Sequence, residues 1–81
     1  MIDRLRGNKM RLFKPPYPVL KRVIVNTKAG ESFRGVLWAL RDGWLVLRNA
    51  EALQHDGQAL KVDGEALIDR SEVSFLQVLN P

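Results

Sequence analysis

The sequence predicts an all-β, antiparallel domain, either a sandwich or a barrel. Turn signals recur every eight to twelve residues, at Lys28-Ala29-Gly30, Arg41-Asp42-Gly43, His55-Asp56-Gly57 and Asp63-Gly64. The segments between them are rich in β-branched, leucine and aromatic side chains, the composition of strands. No stretch keeps a helical period long enough to form a packed helix.

Residues 1–18 read as an arm and residues 19–81 as the domain. Residues 1–14 have only scattered apolar points (Ile2, Leu5, Met10, Leu12, Phe13), enough for one or two helical turns. Met10 is a second candidate start beside Met1. Lys14-Pro15-Pro16-Tyr17-Pro18 follows; its prolines forbid a helix and favour a stiff extended entry into a strand.

The first strand is expected over Val19–Thr27, which is β-branched in character. Gly30 supplies the positive φ of the next turn. The second strand runs Glu31–Leu40, and Asp42-Gly43 is a strong hairpin signal. Trp44–Asn49 forms the third strand, with a continuation open as far as Leu53. Ala59–Val62 reads as a short strand or loop arm, and Glu65–Asp69 as the fourth main strand. Arg70-Ser71-Glu72 is a tight turn, open to one turn of 3₁₀ helix, and Val73–Leu79 is the last strand. Gly35, inside the second strand, marks a sharp bend or close backbone approach of the kind small barrels need.

Strand faces alternate with period two. That places Phe33, Gly35, Leu37 and Ala39 on one face of the second strand and Arg34, Val36, Trp38 and Leu40 on the other. On the third strand Leu45 and Leu47 oppose Trp44, Val46 and Arg48. On the last, Val73, Phe75 and Leu79 oppose Leu76 and Val78. Both faces are largely apolar, whereas a half-exposed antiparallel strand alternates cleanly. One small interior cannot take all of these side chains, so apolar surface, Trp38 and Trp44 foremost, is expected to meet another copy. Edge strands left open would pair with a neighbour. The alternative is that the N-terminal arm folds back over the patch of a monomer.

With 81 residues, the chain is one domain, and a chain this short hides only about 60% of its unfolded surface. There are no cysteines, which removes disulfides, thiolate zinc sites and cysteine nucleophiles and is compatible with a reducing cytoplasm. No apolar run approaches the roughly 18 residues of a membrane span, and the basic N-terminus has no apolar segment behind it, unlike a secretory signal. No membrane partner is expected. The net charge of +4 sits entirely in residues 1–14, where Arg4, Arg6, Lys9, Arg11 and Lys14 face only Asp3; residues 15–81 balance eight cations against eight anions. A basic arm on a neutral body suits a polyanion or an acidic protein surface, or serves as a solvated tail.

The pattern Val23, Val25, Gly30, Phe33, Gly35, Leu37, followed by Leu45-Val46-Leu47, resembles the first motif of the Sm-like family (Sm, LSm and bacterial Hfq proteins). Ala66-Leu67-Ile68, Asp69-Arg70-Ser71 and Val73-Ser74-Phe75-Leu76 resemble its second motif. The likeness covers about residues 19–79. It implies a strongly bent five-stranded antiparallel barrel, usually led by an N-terminal helix. It also implies rings in which the fourth strand of one subunit pairs with the fifth of the next. The interface would then draw on Trp38, Trp44, Leu67, Ile68, Phe75, Leu76 and Val78.

Two departures touch the RNA contacts of that family. Its RNA-binding members carry an Asp and then a base-reading Asn in the turn after Gly-x-Leu; this chain has Leu40-Arg41-Asp42-Gly43-Trp44, one residue shorter and without the Asn. The second motif usually offers Arg-Gly, whereas Asp69-Arg70 puts a carboxylate where phosphate would approach. Candidate nucleic-acid contacts are therefore Arg4, Arg6, Lys9, Arg11, Lys14, Asp42 and Arg70, with Trp38 or Trp44 for base stacking. The small size, the Arg-Leu-Phe-Lys-Pro-Pro-Tyr-Pro lead and the lost motif also resemble Sm-like proteins of tailed bacteriophages. That likeness implies a virion or assembly role, with other virion proteins as partners, in the virion or in the cytoplasm.

His55 is the only histidine and lies in a polar turn, which cannot build a metal cluster. Ser32, Ser71 and Ser74 have no base placed beside them. No catalytic residue, metal or cofactor is expected. The expected function is a non-enzymatic, self-assembling structural or interaction module, with RNA binding as the alternative.

Overall fold

The computed structural model describes residues 17–80. Strands β1 (Arg22–Thr27), β2 (Ser32–Arg41), β3 (Trp44–Leu53), β4 (Ala59–Lys61), β5 (Ala66–Asp69) and β6 (Val73–Val78) are joined by turns, with one 3₁₀ turn at Arg70–Glu72. All pairings are antiparallel. The order is β4-β3-β2-β1-β6, and β5 also pairs with β3. Among the described residues there is no α-helix; residues 1–16 of the expected arm, with its basic residues Arg4, Arg6, Lys9, Arg11 and Lys14, lie outside them.

Strands β4 and β5 are the two halves of one bent strand. Leu53 registers with Ala59 at one end and Trp44 with Asp69 at the other. Between them the Val62 N–H donates to the Ala50 carbonyl at 2.9 Å. Counted this way the sheet is the five-stranded bent barrel expected. The hairpin between β2 and β3 also forms as its sequence dictates. Asp42 (φ 48°) and Gly43 (φ 83°) both adopt positive φ, which a two-residue turn matched to the strand twist requires.

Three bulges set the register and correct the simple alternation. In β3 an extra residue falls at Asn49–Ala50, where the pairing steps from Arg34↔Glu51 to Val36↔Arg48 and Asn49 takes φ 53°. Opposite it Gly35 is buried, and a Cβ there would stand 3.0 Å from the Arg48 carbonyl oxygen and 3.1 Å from Ala50 Cα. In β2 the extra residue is Trp38, so Leu37 pairs with Leu47 but Ala39 with Val46. Ala39 therefore shares a face with Val46, not with Leu37, and Leu40 sits opposite Leu45. In β6 the extra residue is Ser74, because Asn26 pairs with Phe75 and Thr27 with Val73. Val73 joins Leu76 against the core, and Phe75 turns to the other face.

The first strand also begins three residues later than expected. Leu20 takes φ 71°, a left-handed conformation incompatible with a continuous strand. The Lys21 N–H donates to the Pro18 carbonyl instead, closing a turn. Leu20 and Lys21 still exchange backbone hydrogen bonds with Leu37 at 2.6 and 3.0 Å, so this lead continues the ladder across a kink. Tyr17 packs against the core.

The core consists of Val23, Val25, Leu37, Leu45, Leu47, Ala50 and Ile68. Val46 is equally buried but lies on the opposite face, flanked in register by Ala39 and Leu67.

Candidate assembly edges and nucleic-acid surface

Strand β5 pairs with β3 and strand β6 with β1, and among the described residues no strand pairs with the other edge of either. Hydrogen bonds at their ends fix which backbone groups face that edge. The Leu79 N–H donates to the Arg22 carbonyl at 2.9 Å, and the Arg70 N–H to that of Gly43 at 2.8 Å. In an antiparallel ladder the groups of successive residues point alternately toward and away from the partner. The registers Val23↔Val78 and Val46↔Leu67 therefore direct the backbone of Leu76 and Val78 on β6, and of Leu67 and Asp69 on β5, outward. Among the described residues the β6 edge offers the donors and acceptors of Leu76 and Val78, and the β5 edge those of Leu67 with the N–H of Asp69, whose carbonyl serves the 3₁₀ turn it caps.

The side chains at these edges divide between the two faces. Leu67 (57% exposed), Phe75 (55%) and Val78 (47%) stand at the surface, as do Trp38 and Trp44 at about two-fifths. Ile68, expected at the interface, is 8% exposed and belongs to the core of the single copy, because its register partner is Leu45. Leu76 packs partly on that core as well. These two strands can contribute backbone to a neighbour while their inward side chains stay at home.

The Arg70–Gly43 hydrogen bond also joins the two motif turns, bringing Asp42 and Trp44 to the same end of the barrel as Arg70. Asp42 and Arg70 are both exposed. Asp69 does not present its carboxylate freely. Its Oδ1 accepts from the Ser71 N–H and from the Ser71 hydroxyl, both at 2.9 Å, capping the 3₁₀ turn. The backbone bond, then the hydroxyl, and the nearby Arg70 charge hold this carboxyl below its ordinary value of 3.8. A lowered carboxylate pKa stabilises the fold above the unfolded value and ceases to as pH falls through the folded one. The unfolding midpoint of the native chain should therefore exceed that of Asp69→Asn at neutral pH, with the gap narrowing below pH 3.8. A gap that does not narrow with acid would show that charge plays no part in the cap.

Trp38 is occupied differently. The Arg48 guanidinium lies 4.0 Å from its ring centroid, and Arg48 Nε donates to Glu65 Oε2 at 2.9 Å. The ring expected to be available for base stacking is thus covered by a cation of its own chain. Sequence periodicity could not reveal this, since the bulge at Trp38 sets the pairing. His55 stands exposed in a turn, and among the described residues no three His, Cys, Asp or Glu gather as a metal site. Nor is any helix there long and apolar enough to cross a membrane.

Comparison with solved structures gives the same barrel. The SmAP1 heptamer of P. aerophilum superposes with a TM-score of 0.70 at 25% identity, covering 79% of this chain and 85% of that one. A heptameric archaeal Sm protein gives 0.68 at 25% identity, covering 78% and 91%. The Pyrococcus abyssii Sm protein, solved in complex with a uridine heptamer, gives 0.67 at 32% identity, covering 76% and 87%. The chain belongs to the Sm-like family. No family model and no curated protein matches the sequence.

Proposed function

We propose that this Sm-like chain assembles into a closed ring by pairing β5 of one copy with β6 of the next. The ring acts as a non-enzymatic structural or interaction module. The observation that carries this reading is the pair of open edges, with the backbone of Leu67 and Asp69 facing out on one and that of Leu76 and Val78 on the other. Exposed Leu67 and Phe75 beside those edges add apolar area that pairing would cover. Two of the solved neighbours are heptamers, which supports closure over an open filament. A virion or assembly role is the narrower form of this proposal; its support is the basic lead and the missing base-reading Asn, while the solved neighbours named here with their source are archaeal.

A second reading, RNA binding, is favoured by the Arg70–Gly43 contact, which assembles Asp42, Trp44 and Arg70 into one surface. The neighbour solved with a uridine heptamer supports it. One experiment addresses both readings: a native mass spectrum of the full chain, with and without oligouridine. A single multiple of 9.2 kDa is expected; a monomer at micromolar concentration would overturn the ring. Addition of oligouridine mass to the ring supports the second reading, and no addition even at low salt removes it.

A further inference from the structure

We propose that Asp63-Gly64, at the corner between β4 and β5, is a site of spontaneous covalent modification, where the chain converts Asp63 to isoaspartate through a cyclic imide with Gly64. The inference concerns the chain's own chemistry and stands apart from assembly and from RNA. Asp-Gly pairs occur at 42–43, 56–57 and 63–64, and all three aspartates are exposed. Such a pair suits the reaction because glycine has no side chain to obstruct its own nitrogen. The structure separates the three by what holds the reacting groups.

At 56–57 both groups are occupied. The Gly57 N–H donates to the Gln54 carbonyl at 3.0 Å, and Asp56 Oδ1 accepts from the Gln58 N–H at 2.9 Å. At 42–43 the peptide is fixed within the hairpin. Both residues hold positive φ between the paired Arg41 and Trp44, and the Gly43 carbonyl accepts from the Arg70 N–H at 2.8 Å. Imide closure needs the Asp–Gly peptide to rotate until the glycine nitrogen lies over the aspartate Cγ, which this turn forbids unless the hairpin opens. At 63–64 neither group is held: among the described residues the Asp63 carboxylate and the Gly64 N–H have no hydrogen-bond partner. The residues on either side are tied. The Val62 N–H donates to the Ala50 carbonyl at 2.9 Å, and Glu65 Oε2 accepts from Arg48 Nε at 2.9 Å. The free dipeptide is thus a short link between two anchors. No heavy atom lies within 4 Å of where a Gly64 Cβ would stand. The link borders a groove of about 470 Å³, lined also by Arg48 and Lys61, against about 30 Å³ for one water. The second step draws its water from there.

In the first step the Gly64 nitrogen attacks Cγ of the Asp63 carboxylic acid. A C–N bond forms, and the amide proton and the carboxyl hydroxyl leave together as water. In the second step water adds to one of the two imide carbonyls and a C–N bond breaks. Opening at Cγ restores aspartate. Opening at the α-carbonyl leaves the main chain running through Cβ and Cγ, with the α-carboxylate free. One water leaves and one returns, and no electrons change hands. The main chain gains one carbon between Val62 and Ala66, just where it leads into β5.

The test is to age the full chain in neutral buffer and to measure isoaspartate at intervals, by methyl transfer from labelled S-adenosylmethionine with isoaspartyl methyltransferase. Peptide mapping then places it. A free peptide with the sequence of residues 60–66 sets the unrestrained rate, and Asp63 in the full chain is expected to react at a comparable one. Asp56 must first give up two hydrogen bonds and should lag Asp63 by about thirtyfold, with Asp42 slower still. Asp63→Glu, whose ring would need one more atom, should abolish the signal. Asp63→Asn reaches the same imide by losing ammonia, a better leaving group here than water, and should raise the rate. Circular dichroism of each variant, matching the native chain, shows that the strands persist. A signal that maps to Asp42 or Asp56, one that survives Asp63→Glu, or an Asp63 that lags the peptide as far as Asp56 does would overturn the proposal.

Discussion

The variant Leu67→Lys/Val78→Pro is expected to convert the assembly into single copies. Val78 directs its N–H to the open edge of β6, and proline removes that donor while its ring blocks a strand from approaching. Lysine at Leu67 withdraws an exposed apolar side chain beside the edge of β5 and places a charge there, the way natural edges are blunted. The lost apolar burial is about 2 kcal/mol and the lost hydrogen bond about 1 kcal/mol. Together they weaken each contact between copies by more than about a hundredfold. The check is native mass spectrometry or light scattering at micromolar concentration, with circular dichroism to show that strands persist. An assembly of unchanged mass would mean that these edges are not the interface.

Replacing Gly35 by valine should destabilise the fold more than any surface change. The first carbon of the new side chain would meet the Arg48 carbonyl oxygen at 3.0 Å and Ala50 Cα at 3.1 Å. Both are backbone atoms, which cannot swing aside as a flexible side chain would. Overpacking of this kind costs about 3 kcal/mol, and in a domain of this size each kcal/mol lowers the melting midpoint by about 4–8 °C. A fall well beyond 10 °C is therefore expected in a thermal scan. A midpoint within a few degrees of the native value would show that the β3 bulge yields more easily than its geometry implies.

Much of the fold was readable because its signals are local. Asp42-Gly43 names its own hairpin, Gly35 its own close approach, and Arg70-Ser71-Glu72 forms the tight turn expected. Face assignments read less well, because periodicity assumes that every residue pairs. Trp38, Asn49 and Ser74 each interrupt pairing, and each moves the residues beyond it to the other side of the sheet. That is why Ala39 parted from Leu37 and Phe75 from Val73. Ile68 entered the core for a simpler reason: β5 packs against Leu45 as well as offering an edge. The Asp69 cap and the Arg48 cover on Trp38 join side chains across a turn or across strands. The first follows a known Asp-x-Ser turn habit, but the second depends on a bulge that no single-sequence pattern announces.

The small aliphatic interior and the two unclosed ladders have a joint thermodynamic consequence. If a companion must complete each copy, folding and association share one mass-action equilibrium, and the free energy holding any one barrel together rises with the concentration of its fellows. Dilution would then act on this protein much as a mild denaturant does.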